Sequence, residues 1–137
     1  MRFLDTNILL YRVSRDPKEA EKREIATDLL KSSDLALSVQ VLQEFYVQAT
    51  RSTRKDRLFH DEAAALIESW KRFRLQEGTL ALFDSALRAK KRWQLSFWDA
   101  AIIEAARIQG CDSVLSEDLN DGQDFEGVLV LNPFSAV

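Results

Sequence analysis

A single cysteine, Cys111, rules out an internal disulfide and any zinc site built from several thiolates. It follows Gly110 and precedes a predicted strand, where it reads as a small buried hydrophobe. The one histidine, His60, removes paired-histidine acid–base chemistry and histidine-rich metal sites. Beside Asp61 and Glu62, at a predicted helix start, it reads as a surface residue. A Gly-rich phosphate loop, a Walker lysine and a serine nucleophile elbow are all missing. No apolar run is long enough to span a bilayer, and no charged-then-apolar leader precedes the first predicted strand. The expectation is a cytoplasmic protein with no membrane partner. Four glycines and two prolines across 137 residues imply short connections within one domain, residues 1–137.

Positive charge is also short. The net charge is −3, which argues against a purely electrostatic nucleic-acid binder. The cations are nevertheless grouped. Arg51, Arg54, Lys55 and Arg57 form one cluster, and Arg88, Lys90, Lys91 and Arg92 another. Each reads either as a solvated helix end or as a track for phosphates.

What is present is an alternation of strands and helices. Phe3-Leu4 is an apolar run that stops abruptly at Asp5, with Thr6 or Asn7 opening a helix. Residues 18–31 have an amphipathic helical period. Leu35–Ser38 reads as a strand, and Ser38 caps a helix from Val39 to about Thr50. A helix is predicted from His60 to about Leu75, with Gly78 as its breaker. A brief strand over Thr79–Leu82 and a helix over Phe83–Trp93 follow. Ser96-Phe97-Trp98-Asp99 has the pattern of a capping box and starts a helix that stops at Gly110. Strands at 112–115 and 128–131 complete a parallel α/β sheet with helices on both faces.

Four acids stand out in this frame. Asp5 and Asp118 directly follow strands, and Glu44 and Asp99 lie in early helical turns after strand or loop segments. One edge of the sheet gathers all four if the strands run parallel. Each also has an ordinary reading, as a helix cap, a solvent-facing acid or a turn residue. Two unit charges about 4 Å apart repel by about 4 kcal/mol at an effective dielectric of about 20. Several such pairs exceed the stability of a small domain unless protons or a cation offset them. An all-oxygen donor set suits Mg²⁺ or Mn²⁺ rather than Zn²⁺, and points to phosphodiester hydrolysis.

The segments Leu4-Asp5-Thr6-Asn7, Gln43-Glu44-Phe45, Ser96-Phe97-Trp98-Asp99-Ala100-Ala101-Ile102-Ile103 and Val114-Leu115-Ser116-Glu117-Asp118 resemble the four motifs of PIN domains. Length and lack of additions are most similar to the VapC-type ribonuclease toxins of type II toxin–antitoxin pairs. The resemblance implies a PIN-like three-layer sandwich around a five-stranded parallel sheet in order 3-2-1-4-5. It implies a Mg²⁺- or Mn²⁺-dependent endoribonuclease in which Asp5, Glu44, Asp99 and Asp118 are the metal-binding and catalytic acids. Thr6, Asn7 and Ser116 would support them. Leu119-Asn120-Asp121-Gly122 departs from the usual end of the fourth motif, so Glu117 or Asp121 competes for the fourth role. The resemblance also implies an RNA substrate, a cognate antitoxin and a homodimer.

Two other readings stay open. One is a PIN-like module that binds RNA or protein without cutting. The other is a small phosphatase or receiver domain with Asp5 as phosphoryl acceptor. The dehalogenase form of the latter needs a second Asp two residues on, where this chain has Asn7.

Overall fold

The computed structural model describes all 137 residues. Its sheet has five parallel strands in the order β3-β2-β1-β4-β5. The strands are β1 (Arg2–Leu4), β2 (Leu35–Ser38), β3 (Arg74–Gln76), β4 (Ser113–Leu115) and β5 (Leu129–Leu131). The helices are α1 (Thr6–Val13), α2 (Ala20–Leu29), α3 (Val39–Ala49), α4 (His60–Trp70), α5 (Leu80–Trp93) and α6 (Phe97–Ile108). A 3₁₀ turn at Pro17–Glu19 leads into α2, with Asp16 as its cap and proline in its first turn.

β1 sits in the middle because it is apolar on both faces: Phe3 and Leu4 are fully buried. β2 and β4 flank it and are buried along their length. Phe45 on α3 and Trp70 on α4 meet edge to face at 4.8 Å in the same core. Gly110, at φ 75°, stops α6, and the next amide, from Cys111, donates to the Ala106 carbonyl. Cys111 is buried as expected, and burial pushes its thiol up to about 11. No helix is long and apolar enough to cross a membrane.

The middle of the chain differs from the sequence reading. The helix starting at His60 ends at Trp70 rather than Leu75, and the third strand is Arg74–Gln76 rather than Thr79–Leu82. Thr79 is the cap of α5, its hydroxyl accepting from the Leu82 amide at 3.1 Å. Leu82, Ala86 and Ala89 then face inward at helical spacing, so Thr79–Leu82 belongs to the helix. Gly78 therefore lies between a strand and a helix and breaks neither. The true β3 is a three-residue edge strand with Arg74 exposed, which leaves no alternating pattern to read.

In the order 3-2-1-4-5 the chain reverses direction across the sheet between β1 and β4. Ligands of open parallel sheets sit beyond the C-terminal ends of the strands at such a reversal. Leu4 pairs with Leu115 in register, so Asp5 and Ser116 leave the sheet side by side.

Candidate active site

Asp5 is both the cap of α1 and a buried carboxylate. Its Oδ1 accepts from the Thr6 amide at 2.7 Å, and its own amide extends the β-ladder to the Leu115 carbonyl at 3.0 Å. The helix thus opens at Thr6 with Asp5 itself as cap. Only 7% of the residue is exposed. Burial is the main force on its carboxyl. The Ser116 and Thr6 hydrogen bonds oppose it, Asp118 and Glu44 add repulsion, and the pKa stands at about 6 against the usual 3.8.

Ser116, fully buried, is the hub of this edge. Its hydroxyl donates to Asp5 Oδ2 at 2.7 Å and accepts from the Asp118 amide at 3.1 Å. Asn7 Nδ2 lies 3.2 Å from Ser116 Oγ, 3.2 Å from Asp118 Oδ2 and 3.4 Å from Asp5 Oδ2. Its Oδ1 accepts the Glu117 amide at 3.2 Å. One asparagine therefore ties the end of β1 to the loop after β4.

Glu44, on α3, faces the same edge. Thr6 Oγ1 donates to its Oε2 at 2.6 Å, and Gln40 Nε2 donates to its Oε1 at 2.9 Å. Gln40 also donates to the Trp98 carbonyl at 3.2 Å, joining α3 to the first turn of α6. Asp99 lies in that turn, with Ser96 as cap. Its carboxyl is held above the usual range by burial first, with repulsion from Asp118 and Glu44 acting in the same direction.

Asp5, Glu44, Asp99 and Asp118 thus come from four separate segments and repel one another at one edge. None of the ion pairs in the structure involves them. The two competing acids have partners of their own. Glu117 accepts from Lys22 Nζ at 2.9 Å and from the Tyr11 hydroxyl at 2.8 Å. Asp121 Oδ1 accepts the Asn132 amide at 2.9 Å, at the end of β5. Gln40 is the residue that sequence reasoning missed. Its signal was its position four residues before Glu44, on the same helical face.

The donor set is all carboxylate oxygen, and no cationic side chain offsets its charge, which suits a hard divalent cation. As the side chains stand, no three acids are gathered closely enough to hold one ion. Uncompensated like charges favour such a spread arrangement, and a cation's charge reverses that preference. By the chemistry of their donors, the residues fit the ion.

His60 is exposed at the start of α4, its Nδ1 2.9 Å from the Tyr46 hydroxyl, away from the acids. In the first basic cluster Arg54 pairs with Asp56 at 2.8 Å, whereas Arg51 is exposed. In the second, Arg92 pairs with Glu126.

A profile of the PIN domain matches residues 2–121. Among curated proteins, none is similar in sequence. A toxin–antitoxin complex from Klebsiella pneumoniae superposes with a TM-score of 0.70 at 17% identity, covering 98% of each chain. VapC20 of Mycobacterium tuberculosis, a sarcin-ricin loop cleaving toxin, gives 0.65 at 21% identity, over 86% of this chain and 92% of that one. FitAcB from Neisseria gonorrhoeae gives 0.63 at 18% identity, over 98% and 99%. At these identities the likeness concerns the fold.

Proposed function

The chain belongs to the PIN-domain family, and from that membership and its acidic edge we propose that it is a Mg²⁺- or Mn²⁺-dependent endoribonuclease, the toxin of a type II toxin–antitoxin pair. One observation carries the reading. Four carboxylates from distant segments share the topological reversal of the sheet with no cationic side chain to offset them.

When bound, the cation supplies charge to polarise the scissile phosphate and to acidify the attacking water. Asp5, Asp99, Asp118 and Glu44 are the residues that would hold it. Ser116 and the Thr6 amide fix the orientation of Asp5 and keep both its oxygens defined. Asn7 holds Asp118 against Asp5, and Thr6 with Gln40 fixes Glu44. Asp99, partly exposed in the first turn of α6, would add its carboxylate to theirs. Hydrolysis leaves 5′-phosphate and 3′-hydroxyl ends.

The same reading places the protein in the cytoplasm and assigns it a small antitoxin and a second copy of itself as partners. Leu80, Phe83 and Leu87 support protein partners, because they form an exposed apolar stripe at helical spacing on α5. Of these, Phe83 lines a cavity of about 490 Å³ together with Leu82, Ala86 and Phe97.

The test is cleavage of total RNA by the purified protein with Mg²⁺ or Mn²⁺, against an EDTA control and a folded Asp99→Asn variant. Loss of cleavage in both controls is expected. Undiminished cleavage by the variant overturns the assignment. A PIN-like module that binds without cutting would leave all RNAs intact in every arm.

A further inference from the structure

A groove of about 360 Å³ runs from the acidic edge along α3, lined by Gln40, Gln43, Glu44, Val47, Gln48, Arg51 and Trp98. Residues 40, 44 and 47 recur every three or four positions on α3, so they form one helical face roughly 10 Å long, and Arg51 lies just beyond the end of the helix. Trp98 forms the opposite wall, one residue before Asp99. It is 62% exposed, an unusual state for an indole that is not spent on the core. Phe97 holds its ring edge to face at a centroid distance of 5.0 Å, and Gln40 fixes its carbonyl. An exposed, well-positioned aromatic plane therefore stands beside the catalytic edge. Carboxamide side chains face it, and the exposed Arg51 closes the far end.

Each part of this lining has a counterpart in an unpaired nucleotide. Aromatic planes stack any base, carboxamides hydrogen-bond base edges, and arginine meets phosphate. A helical peptide would instead call for a mainly apolar floor, and here only Val47 and Trp98 are hydrophobic. We propose that this groove is a base-stacking subsite. An unpaired nucleotide next to the scissile phosphate stacks on Trp98, with its edge toward Gln43 and Gln48 and its backbone toward Arg51. The inference deepens the ribonuclease reading and rests on it for the choice of RNA. A base within a duplex cannot present its face to the indole, so the subsite takes only an unpaired nucleotide.

The experiment measures binding rather than cleavage. A labelled, unpaired RNA oligomer and a perfect RNA duplex are titrated in EDTA against wild type, Trp98→Ala, Trp98→Phe and Gln43→Ala, with folding checked by circular dichroism. Trp98→Ala should weaken the single strand about tenfold and leave the weaker duplex binding unchanged, the range expected for one lost stack. Trp98→Phe should recover most of that loss, and Gln43→Ala should change the preference among the four bases.

Unchanged single-strand affinity in folded Trp98→Ala overturns the proposal. So does an equal loss for single strand and duplex, which would mean backbone binding only. Acrylamide quenching of Trp98 that is blocked by self-association or by a protein partner, and unaffected by RNA, also overturns it. The two readings fail separately. Wild type that binds through Trp98 but cleaves no RNA refutes the nuclease alone. Wild type that cleaves while Trp98→Ala binds normally refutes the subsite alone.

Discussion

Replacing Asp5 with asparagine should make the metal-free protein more stable. The carboxyl is buried and its pKa stands at about 6 against 3.8 in an unfolded chain. A raised folded-state pKa means that the native state holds the proton more tightly than the unfolded one. There is no penalty below pH 3.8. The penalty grows as pH rises through 6 and then levels off at about 3 kcal/mol. At pH 5 it is about half of that. Asparagine avoids this cost and keeps an acceptor for the Thr6 amide, but it forfeits one good partner for the Ser116 hydroxyl, a loss of about 1 kcal/mol that does not depend on pH. The variant should therefore exceed wild type by roughly 2 kcal/mol at pH 8 and by less than about 1 kcal/mol at pH 5. Urea unfolding in EDTA at the two pH values measures this. Adding Mn²⁺ should reverse the order, since an ion at about one hundred times its Kd stabilises wild type alone by about 2.7 kcal/mol. A wild type as stable as Asp5→Asn at pH 8, with a gap independent of pH, would refute the reasoning.

Other outcomes follow from the same geometry. Ser116→Ala should destabilise the fold by about 1–3 kcal/mol and raise the Asp5 pKa further, because a buried acceptor loses its donor; denaturation and carboxyl NMR titration read the two effects. Glu117→Gln should keep most of its cleavage rate while Asp118→Asn loses it, since Glu117 is held by Lys22 and Tyr11; single-turnover cleavage of one RNA distinguishes them. Trp70→Ala should cost about 3–5 kcal/mol by opening a cavity against Phe45, seen as a lower urea midpoint with an unchanged slope.

The parallel sheet was legible in the sequence because four of its strands are short apolar runs set off by caps or turn residues. β3 was not, because Arg74-Leu75-Gln76 is an edge segment that runs from exposed to buried, with no period to detect. The capping of α5 by Thr79 was missed for a related reason. Leu80-Ala81-Leu82 is an apolar run that fits a strand or a helix equally until its inward positions are known. At the candidate site, Asp5 caps α1 with Oδ1 and leaves Oδ2 to Ser116, so its capping role does not exclude the proposed role as a functional acid. The bridging role of Asn7 could not be read from sequence, because it depends on contacts to residues more than a hundred positions away. The same holds for Glu117, whose partner Lys22 lies on α2. Among the aromatics, Trp70 and Phe73 are core residues, whereas Trp98 is exposed.

The most direct test of the central claim is a Mn²⁺ soak of crystals, read by anomalous scattering. The expected result is a peak within ligating distance of Asp5 and Asp118, with Asp99 or Glu44 completing the oxygen shell, and no peak in crystals of Asp5→Asn. A wild-type crystal at saturating Mn²⁺ with no peak at this edge, from protein that still cleaves RNA, would contradict it.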